Sequence, residues 1–197
     1  MRKRKVHQLI TRYRGIEEAQ HCAAYELASN QTLATTAKEM IEMVPPSLGA
    51  CALMSAAWAD LLRSKYDIPA IVVAGDLKIR GTTIFRCKKN LPIMGNTGKF
   101  VAGKWSGHCW IEVDGHIGDL TVFRTAYALD GPSLLKDFVL KNFGPGRAGF
   151  LCPANEVPSG MKYVPKYVLT DPQIYGLTNG LCYQMEEFQR TGELPVF

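Results

Sequence analysis

The chain lacks the features that mark several large classes of protein. No apolar run in its 197 residues is long enough to span a bilayer, so no membrane partner is expected. Polar residues such as Gln8, Thr11 and Arg12 interrupt the segment after the basic N-terminus, so a secretion signal is not predicted. We therefore expect a cytoplasmic protein whose six cysteines are free thiols rather than a disulfide framework.

Metal-binding and nucleic-acid-binding motifs are absent as well. Neither Cys-x-x-Cys nor His-Glu-x-x-His occurs, so nothing in the sequence argues for zinc, and we expect neither a metal nor a cofactor. No zinc finger, RNA-recognition signature or basic zipper accompanies the net charge of +5, part of which comes from Arg2-Lys3-Arg4-Lys5. Charge alone leaves nucleic-acid binding open as a lesser alternative.

What is present suits one globular core. The chain is 47% hydrophobic over 197 residues, a length at which two domains would each be small. We expect residues 1–14 to form a basic, flexible N-terminal tail. Residues 15–197 are then predicted to form a single domain.

The order of the predicted elements indicates the fold class. Helices are predicted first, and strands with further helices follow. The predicted helices cover residues 15–29, 33–43, 47–65, 133–143 and 170–190. The predicted strands cover residues 68–77, 82–86, 107–113, 116–122, 148–152 and 162–169, and a long loop covers 88–107. This order predicts an α+β protein with an antiparallel sheet.

The helix that begins near Cys51 is the first candidate for chemistry. Pro45 and Pro46 prevent helix just before it, and Ser47 is a plausible N-cap. A thiol in the first turn lies near unpaired backbone N–H groups and the positive end of the helix dipole, which lower its pKa. Cys51 is thus either a nucleophile or a small apolar residue of a buried helix.

A hairpin supplies the second group of candidates. Asp114-Gly115 is a strong two-residue turn, which predicts four cross-strand pairs: Val113 with His116, Ile111 with Gly118, Trp110 with Asp119 and His108 with Thr121. Alternation along the strands then predicts the members of each face. One face carries His108, Trp110, Asp119 and Thr121, and the other carries Cys109, Ile111, Val113, His116 and Leu120.

This register brings His108 and Asp119 within reach of each other as diagonal neighbours, provided that no bulge intervenes. It predicts that Cys109 is a small core residue and His116 a strand-end residue, both outside the site. A thiolate nucleophile needs an imidazole to exchange its proton, and the imidazole needs an acceptor that orients it. Cys51, His108 and Asp119 supply one residue of each type.

Three motifs of the chain resemble those of one known family. They are Gly49-Ala50-Cys51 with the following segment to Gly75, which includes Ile68-Pro69-Ala70; His108-Cys109-Trp110-Ile111-Glu112-Val113; and Asp119-Leu120-Thr121. In this order they resemble the transglutaminase-like superfamily. The resemblance implies a papain-like fold, in which N-terminal helices and the nucleophile helix pack on an antiparallel sheet. It also implies Cys51 as nucleophile, His108 as base and Asp119 as the orienting residue.

The resemblance further implies thioester chemistry on an amide, with a peptide or protein as substrate. Two residues depart from the pattern: Asp67 stands where glycine is usual, and Leu120 stands where proline is usual. The sequence therefore predicts a cysteine-dependent amide hydrolase or acyltransferase. The alternatives are a non-catalytic papain-like binding module that uses its basic N-terminus, or an acyltransferase like the arylamine N-acetyltransferases.

Overall fold

The computed structural model describes residues 2–46, 50–93 and 105–193, which form seven helices and a six-stranded antiparallel sheet. The helices are α1 (Arg2–Arg14), α2 (Ile16–Ala24), α3 (Gln31–Met43), α4 (Cys51–Tyr66), α5 (Val122–Tyr127), α6 (Ser133–Phe143) and α7 (Asp171–Thr191). The strands are β1 (Ile71–Ile79), β2 (Thr82–Phe85), β3 (His108–Val113), β4 (His116–Asp119), β5 (Phe150–Pro153) and β6 (Met161–Val168). The predicted α+β class is confirmed. Over these ranges, no helix combines the length and apolarity needed to cross a bilayer.

The sheet separates two apolar layers. Its strands run in the order β2-β1-β3-β4-β5, and β6 pairs with β1. β1 is buried at eight of its nine positions because it is covered on both faces. One face packs on α4 through Val72, Ala74, Cys109 and Ile111. The other face carries Ile71, Val73, Trp110 and Tyr163 and is covered by apolar residues of α1 and α6.

The basic N-terminus differs from the flexible tail that the sequence predicted. Residues 2–14 form α1, because Val6 and Ile10 lie one helical turn apart and both are buried in the second apolar layer. Arg14 ends the helix with a side chain that is 4% exposed and donates to the carbonyl of Leu169. The run of charged residues in the first turn made the segment resemble a solvated tail in the sequence, although Val6 and Ile10 follow it.

Helix α4, which carries the candidate nucleophile Cys51, begins close to its predicted position. Ala50 is the N-cap and Cys51 is the first residue of α4. Ser47, the predicted cap, lies outside the described residues, as does most of the predicted loop, residues 94–104. At the other end, Asp67 adopts the left-handed conformation with φ of 53°. Aspartate tolerates this conformation better than most residues other than glycine.

The hairpin has the predicted turn and register. Asp114 and Gly115 both have positive φ, 40° and 73°, as a two-residue type I′ turn requires. Val113 pairs with His116 and Ile111 with Gly118, as predicted. Because β4 ends at Asp119, the β3–β4 ladder in the described residues includes neither the predicted pair of Trp110 with Asp119 nor that of His108 with Thr121. After β4 the chain turns directly into α5, a six-residue helix that the sequence analysis did not predict.

Gly75 allows three strands to approach closely. A Cβ atom at this position would lie 2.1 Å from the carbonyl oxygen of Val164 in β6 and 2.7 Å from Cη2 of Trp110 in β3. We expect Gly75→Ala to lower the free energy of unfolding by about 1–3 kcal/mol, because backbone must move to admit the methyl group. Chemical denaturation measures this, with Thr82→Ala at an exposed strand position as the control. Equal stability of the two variants would contradict the expectation.

Candidate active site

Cys51 lies where the end of a helix meets the end of a strand. It is the first residue of α4 and is partly exposed, whereas the next five residues of the helix are buried. α4 packs on the sheet face that includes Cys109. The first N–H groups of a helix have no partner within it, so the Cys51 sulfur lies in a region of positive potential.

His108 begins β3 and is held rigidly. It is 1% exposed, and its ring stacks on Phe85 with a centroid distance of 5.2 Å and an interplanar angle of 16°. Its Nε2 atom lies 2.5 Å from Oδ2 of Asp119. The hydrogen bond to the Asp119 carboxylate therefore occupies one ring nitrogen, and together with the stacking on Phe85 it fixes the orientation of the imidazole.

Asp119 is fully buried and is anchored through both oxygens. Oδ1 accepts hydrogen bonds from the backbone N–H groups of Thr121 and Val122, both at 3.0 Å, and from the Thr121 hydroxyl at 3.1 Å. Oδ2 accepts from His108 and from the hydroxyl of Tyr163 at 2.9 Å. The Asp-x-Thr spacing of the sequence is what brings the first three donors to one oxygen.

The Cys51 thiol completes the set. It lies beside the His108 side chain and beside the thiol and backbone of Cys109, and all three lower its pKa. Because Nε2 of His108 is engaged with Asp119, Nδ1 is the ring nitrogen that remains for Cys51. The three residues predicted from the sequence thus lie together, with His108 hydrogen-bonded to Asp119 and Cys51 beside His108.

The protonation states follow from these contacts. The pKa of Cys51 is well below its usual value, because the hydrogen bond from the Cys109 thiol and the nearby His108 together outweigh burial. Burial would lower the pKa of His108, but the charge and hydrogen bond of Asp119 and the contact with Cys51 raise it to about 10. The pKa of Asp119 is lowered despite burial, chiefly by the charge of His108. The favoured state is thiolate, imidazolium and carboxylate.

Cys109 is the buried core residue that the sequence predicted, and it also lies beside the site. Cys109 is fully buried and lies on the predicted core face, yet its thiol contacts Cys51. Strand alternation separates neighbouring side chains onto opposite faces, but the first turn of α4 lies at the end of β3 and reaches both. Burial and the neighbouring Cys51 sulfur raise the pKa of Cys109 well above its usual value. Cys109 therefore stays protonated and donates its hydrogen bond to Cys51.

Tyr163 was missed by sequence reasoning. It lies in β6, 44 residues after Asp119, and no motif connects the two. Two side chains with N–H donors, Trp105 and Gln31, were further candidates from the sequence for stabilising an oxyanion. Trp105 donates its indole N–H to the Lys89 carbonyl at 2.9 Å, and Gln31 is exposed at the start of α3. His116 begins β4, at the strand end where the sequence placed it.

The remaining chemistry of the chain is limited. Each of the six cysteines is free. Within residues 2–46, 50–93 and 105–193, no group of three or more histidine, cysteine, aspartate or glutamate side chains could hold a metal ion. The arrangement at Cys51 is suited to nucleophilic attack followed by proton transfer, with backbone N–H groups of the first turn of α4 near the developing charge.

Comparison of the chain with protein-family models, with curated proteins and with solved structures finds no match.

Proposed function

We propose that this protein is a cysteine-dependent hydrolase or acyltransferase that acts on an amide. The observation that carries the proposal is Cys51 at the start of a helix beside His108, whose buried ring is hydrogen-bonded to Asp119. A cysteine that serves only as core packing has no need of an oriented imidazole. The substrate class that we propose is a peptide or a glutamine side chain of a protein.

In the first half-reaction the Cys51 thiolate attacks the amide carbonyl carbon, and the carbonyl oxygen takes up the negative charge. The backbone N–H of Cys51 is the proposed donor to this oxyanion. The oxyanion then collapses, the carbon–nitrogen bond breaks, and the imidazolium of His108 gives its proton to the leaving amine or ammonia. The products are a thioester on Cys51 and a free amine.

In the second half-reaction the neutral imidazole of His108 takes a proton from water or from an acceptor amine, which attacks the thioester. Collapse of the second tetrahedral intermediate expels the Cys51 thiolate, and the imidazolium forms again. Asp119 remains ionised throughout, because its role is to hold the tautomer and direction of His108. The identity of the attacking group decides between hydrolysis and amide transfer.

The proposed relation to the transglutaminase-like superfamily has structural support at each motif. α4 begins at the cysteine and packs on an antiparallel sheet, as a papain-like fold requires. Trp110 of the His-x-Trp-x-Glu segment donates its indole N–H to Glu112 at 2.9 Å, within the buried face that carries His108. Leu120, which replaces proline, is 1% exposed and packs in the α4 layer without displacing Asp119.

A peptide library tests the proposal and its products. We expect mass spectrometry to detect either loss of ammonia from glutamine side chains or cleaved peptide bonds after incubation with the protein. Loss of ammonia indicates deamidation or transfer, and an added primary amine distinguishes the two by the mass that it adds. Cys51→Ala is the control, because it removes the nucleophile while preserving the helix. Equal products from both proteins would contradict the proposal.

The alternative of a binding module depends on the first turn of α1. Lys3, Arg4 and Lys5 are exposed, so their replacement by glutamine leaves the buried residues Val6 and Ile10 in place. If the protein binds DNA or RNA through this turn, the affinity falls steeply with salt, and the triple variant weakens it and flattens the salt dependence. If the protein cleaves amides and is not a nucleic-acid-binding module, we expect titrations with DNA or RNA to be identical for the wild type and the variant.

A further inference from the structure

We propose that Tyr163 is a positioning residue of the candidate site, which fixes Asp119 and limits how strongly Asp119 holds the imidazolium of His108. The inference rests on the proposed function and deepens it. Its basis is the hydrogen bond from the Tyr163 hydroxyl to Oδ2 of Asp119, the same oxygen that contacts Nε2 of His108. Tyr163 would touch neither the substrate nor the reacting atoms.

The position of the Tyr163 ring is set by buried neighbours on several elements. The residue is 2% exposed, and its ring meets Trp110 edge to face at 5.0 Å and stacks on Phe150 at 6.0 Å. The His108 ring lies 6.2 Å away. A ring held on these sides directs its hydroxyl to one place, so the hydrogen bond to Asp119 is built into the packing of the layer.

The surroundings of Asp119 explain why this donor matters. A fully buried carboxylate stays ionised only when hydrogen bonds replace the water that it has lost. Among the described residues, Thr121 and Val122 supply three donors to Oδ1 from the turn that follows Asp119. Oδ2 accepts from His108 and from Tyr163, which comes from a separate strand. Two of the turn donors are backbone N–H groups, which a side-chain substitution does not remove, whereas the Tyr163 hydroxyl is removed by a single substitution.

Removal of that hydroxyl has a definite electrostatic direction. With one donor fewer on Oδ2, less of the carboxylate charge is neutralised, and the hydrogen bond from Nε2 of His108 becomes stronger. The proton on the imidazole is then held more tightly. The other titratable groups that contact His108 directly are Cys51 from α4 and Asp119 itself, with Cys109 adjacent in β3, and none of them changes in this variant.

The test compares wild type with Tyr163→Phe by two measurements. In proton NMR, we expect the Nε2–H resonance of His108, assigned by its loss in His108→Ala, to move downfield in Tyr163→Phe. In a pH titration, the rates at which iodoacetate and iodoacetamide alkylate Cys51 are compared. The preference for iodoacetate should disappear close to pH 10 in the wild type, and in Tyr163→Phe we expect this step to lie about half a pH unit higher. This step reports loss of the imidazolium, which attracts the anionic reagent.

Tyr127→Phe is the matched control. The Tyr127 hydroxyl also makes a hydrogen bond inside the protein, to the carbonyl of Gly144 at 2.9 Å, but it has no contact with the triad. We expect both measurements to equal those of the wild type. A role of Tyr163 in packing alone predicts lower stability with an unchanged resonance and an unchanged step, and that result would overturn the inference.

A second variant covers the case in which Tyr163→Phe does not fold. A ring-fluorinated tyrosine at position 163 keeps the shape and the hydroxyl but is a stronger donor, so both shifts should reverse in sign. Failure of the proposed function is a separate outcome, since an unreactive Cys51 in the wild type leaves the NMR measurement intact. A reactive Cys51 with no shift in either Tyr163 variant rejects the inference and retains the function.

Discussion

Replacement of His108 by alanine is expected to slow the alkylation of Cys51 by iodoacetamide at pH 6 by about tenfold or more. An ordinary thiol with a pKa of about 8.5 is less than about 1% thiolate at this pH. Contacts with His108 and Cys109 hold the pKa of Cys51 well below its usual value, so the wild-type thiol stays ionised. Thiolates of low pKa are weaker nucleophiles, which removes part of the advantage but not all of it.

The measurement is peptide mass spectrometry of the labelled protein from pH 4 to 10, with each cysteine followed separately. Cys182 is exposed and is the internal reference for the labelling rate. His116→Ala is the matched control, because this histidine lies in the same hairpin at the far end of β4. Labelling of Cys51 no faster than that of Cys182 in the wild type, or unchanged labelling in His108→Ala, would exclude the proposed nucleophile.

The second large effect is expected for Asp119→Asn. The carboxylate is the charge that stabilises the buried imidazolium, and its loss leaves His108 with an amide in place of an anion. We expect turnover of any amide substrate to fall by about 10²-fold or more, because the imidazole loses its orienting acceptor. We also expect the free energy of unfolding to fall by about 3–5 kcal/mol near pH 5–6, as for loss of one partner of a buried pair.

The loss of stability in Asp119→Asn is expected to depend on pH in a direction set by the pKa shifts of His108 and Asp119. The pKa of His108 is raised in the folded protein, so its contribution is complete below about 6.5 and is lost as the pH rises toward 10. The pKa of Asp119 is lowered, so its contribution is complete above its ordinary value of 3.8 and is lost as the pH falls below it. The difference between wild type and Asp119→Asn should therefore be greatest between about pH 4 and 6.5.

Urea denaturation across this range measures the difference, and a Cys51→Ala background removes titration of the thiol from both proteins. Asp114→Asn is a suitable control, since Asp114 is a half-buried carboxylate in the hairpin turn that accepts from the backbone N–H of Leu27. A stability difference for Asp119→Asn that is flat from pH 4 to 9 would show that His108 and Asp119 are not a charged pair.

Elements with strong local patterns were predicted well. α3 and α6 begin and end within two residues of their predicted bounds, since their apolar spacing and flanking prolines and glycines are local signals. α5 was missed because six residues are too few for a periodic pattern. α1 was missed because its four apolar residues, Val6, Leu9, Ile10 and Tyr13, lie among many charges and become a helix face only when a sheet lies beneath them.

The contacts of the candidate site likewise fall into those that local sequence patterns predict and those that depend on tertiary packing. Pairing of His108 with Asp119 was within reach of sequence analysis, because a two-residue turn sets the register and alternation sets the face. The positions of Cys109 and Tyr163 were not, because each depends on how a separate element, α4 or β6, docks on β1 and β3. A hydrogen bond between residues 44 positions apart has no local signal.

By itself, then, the sequence determined an α+β chain with a thiol at the start of a helix and an imidazole and a carboxylate on one hairpin face. Those features depend on turn length, side-chain alternation and helix breakers, which act over a few residues. Only the tertiary structure decided that the Cys51 thiol reaches both His108 and Cys109, and that Tyr163 holds the acceptor oxygen of Asp119. Contacts of this kind arise from the docking of whole elements, which is determined by the packing of both apolar layers together.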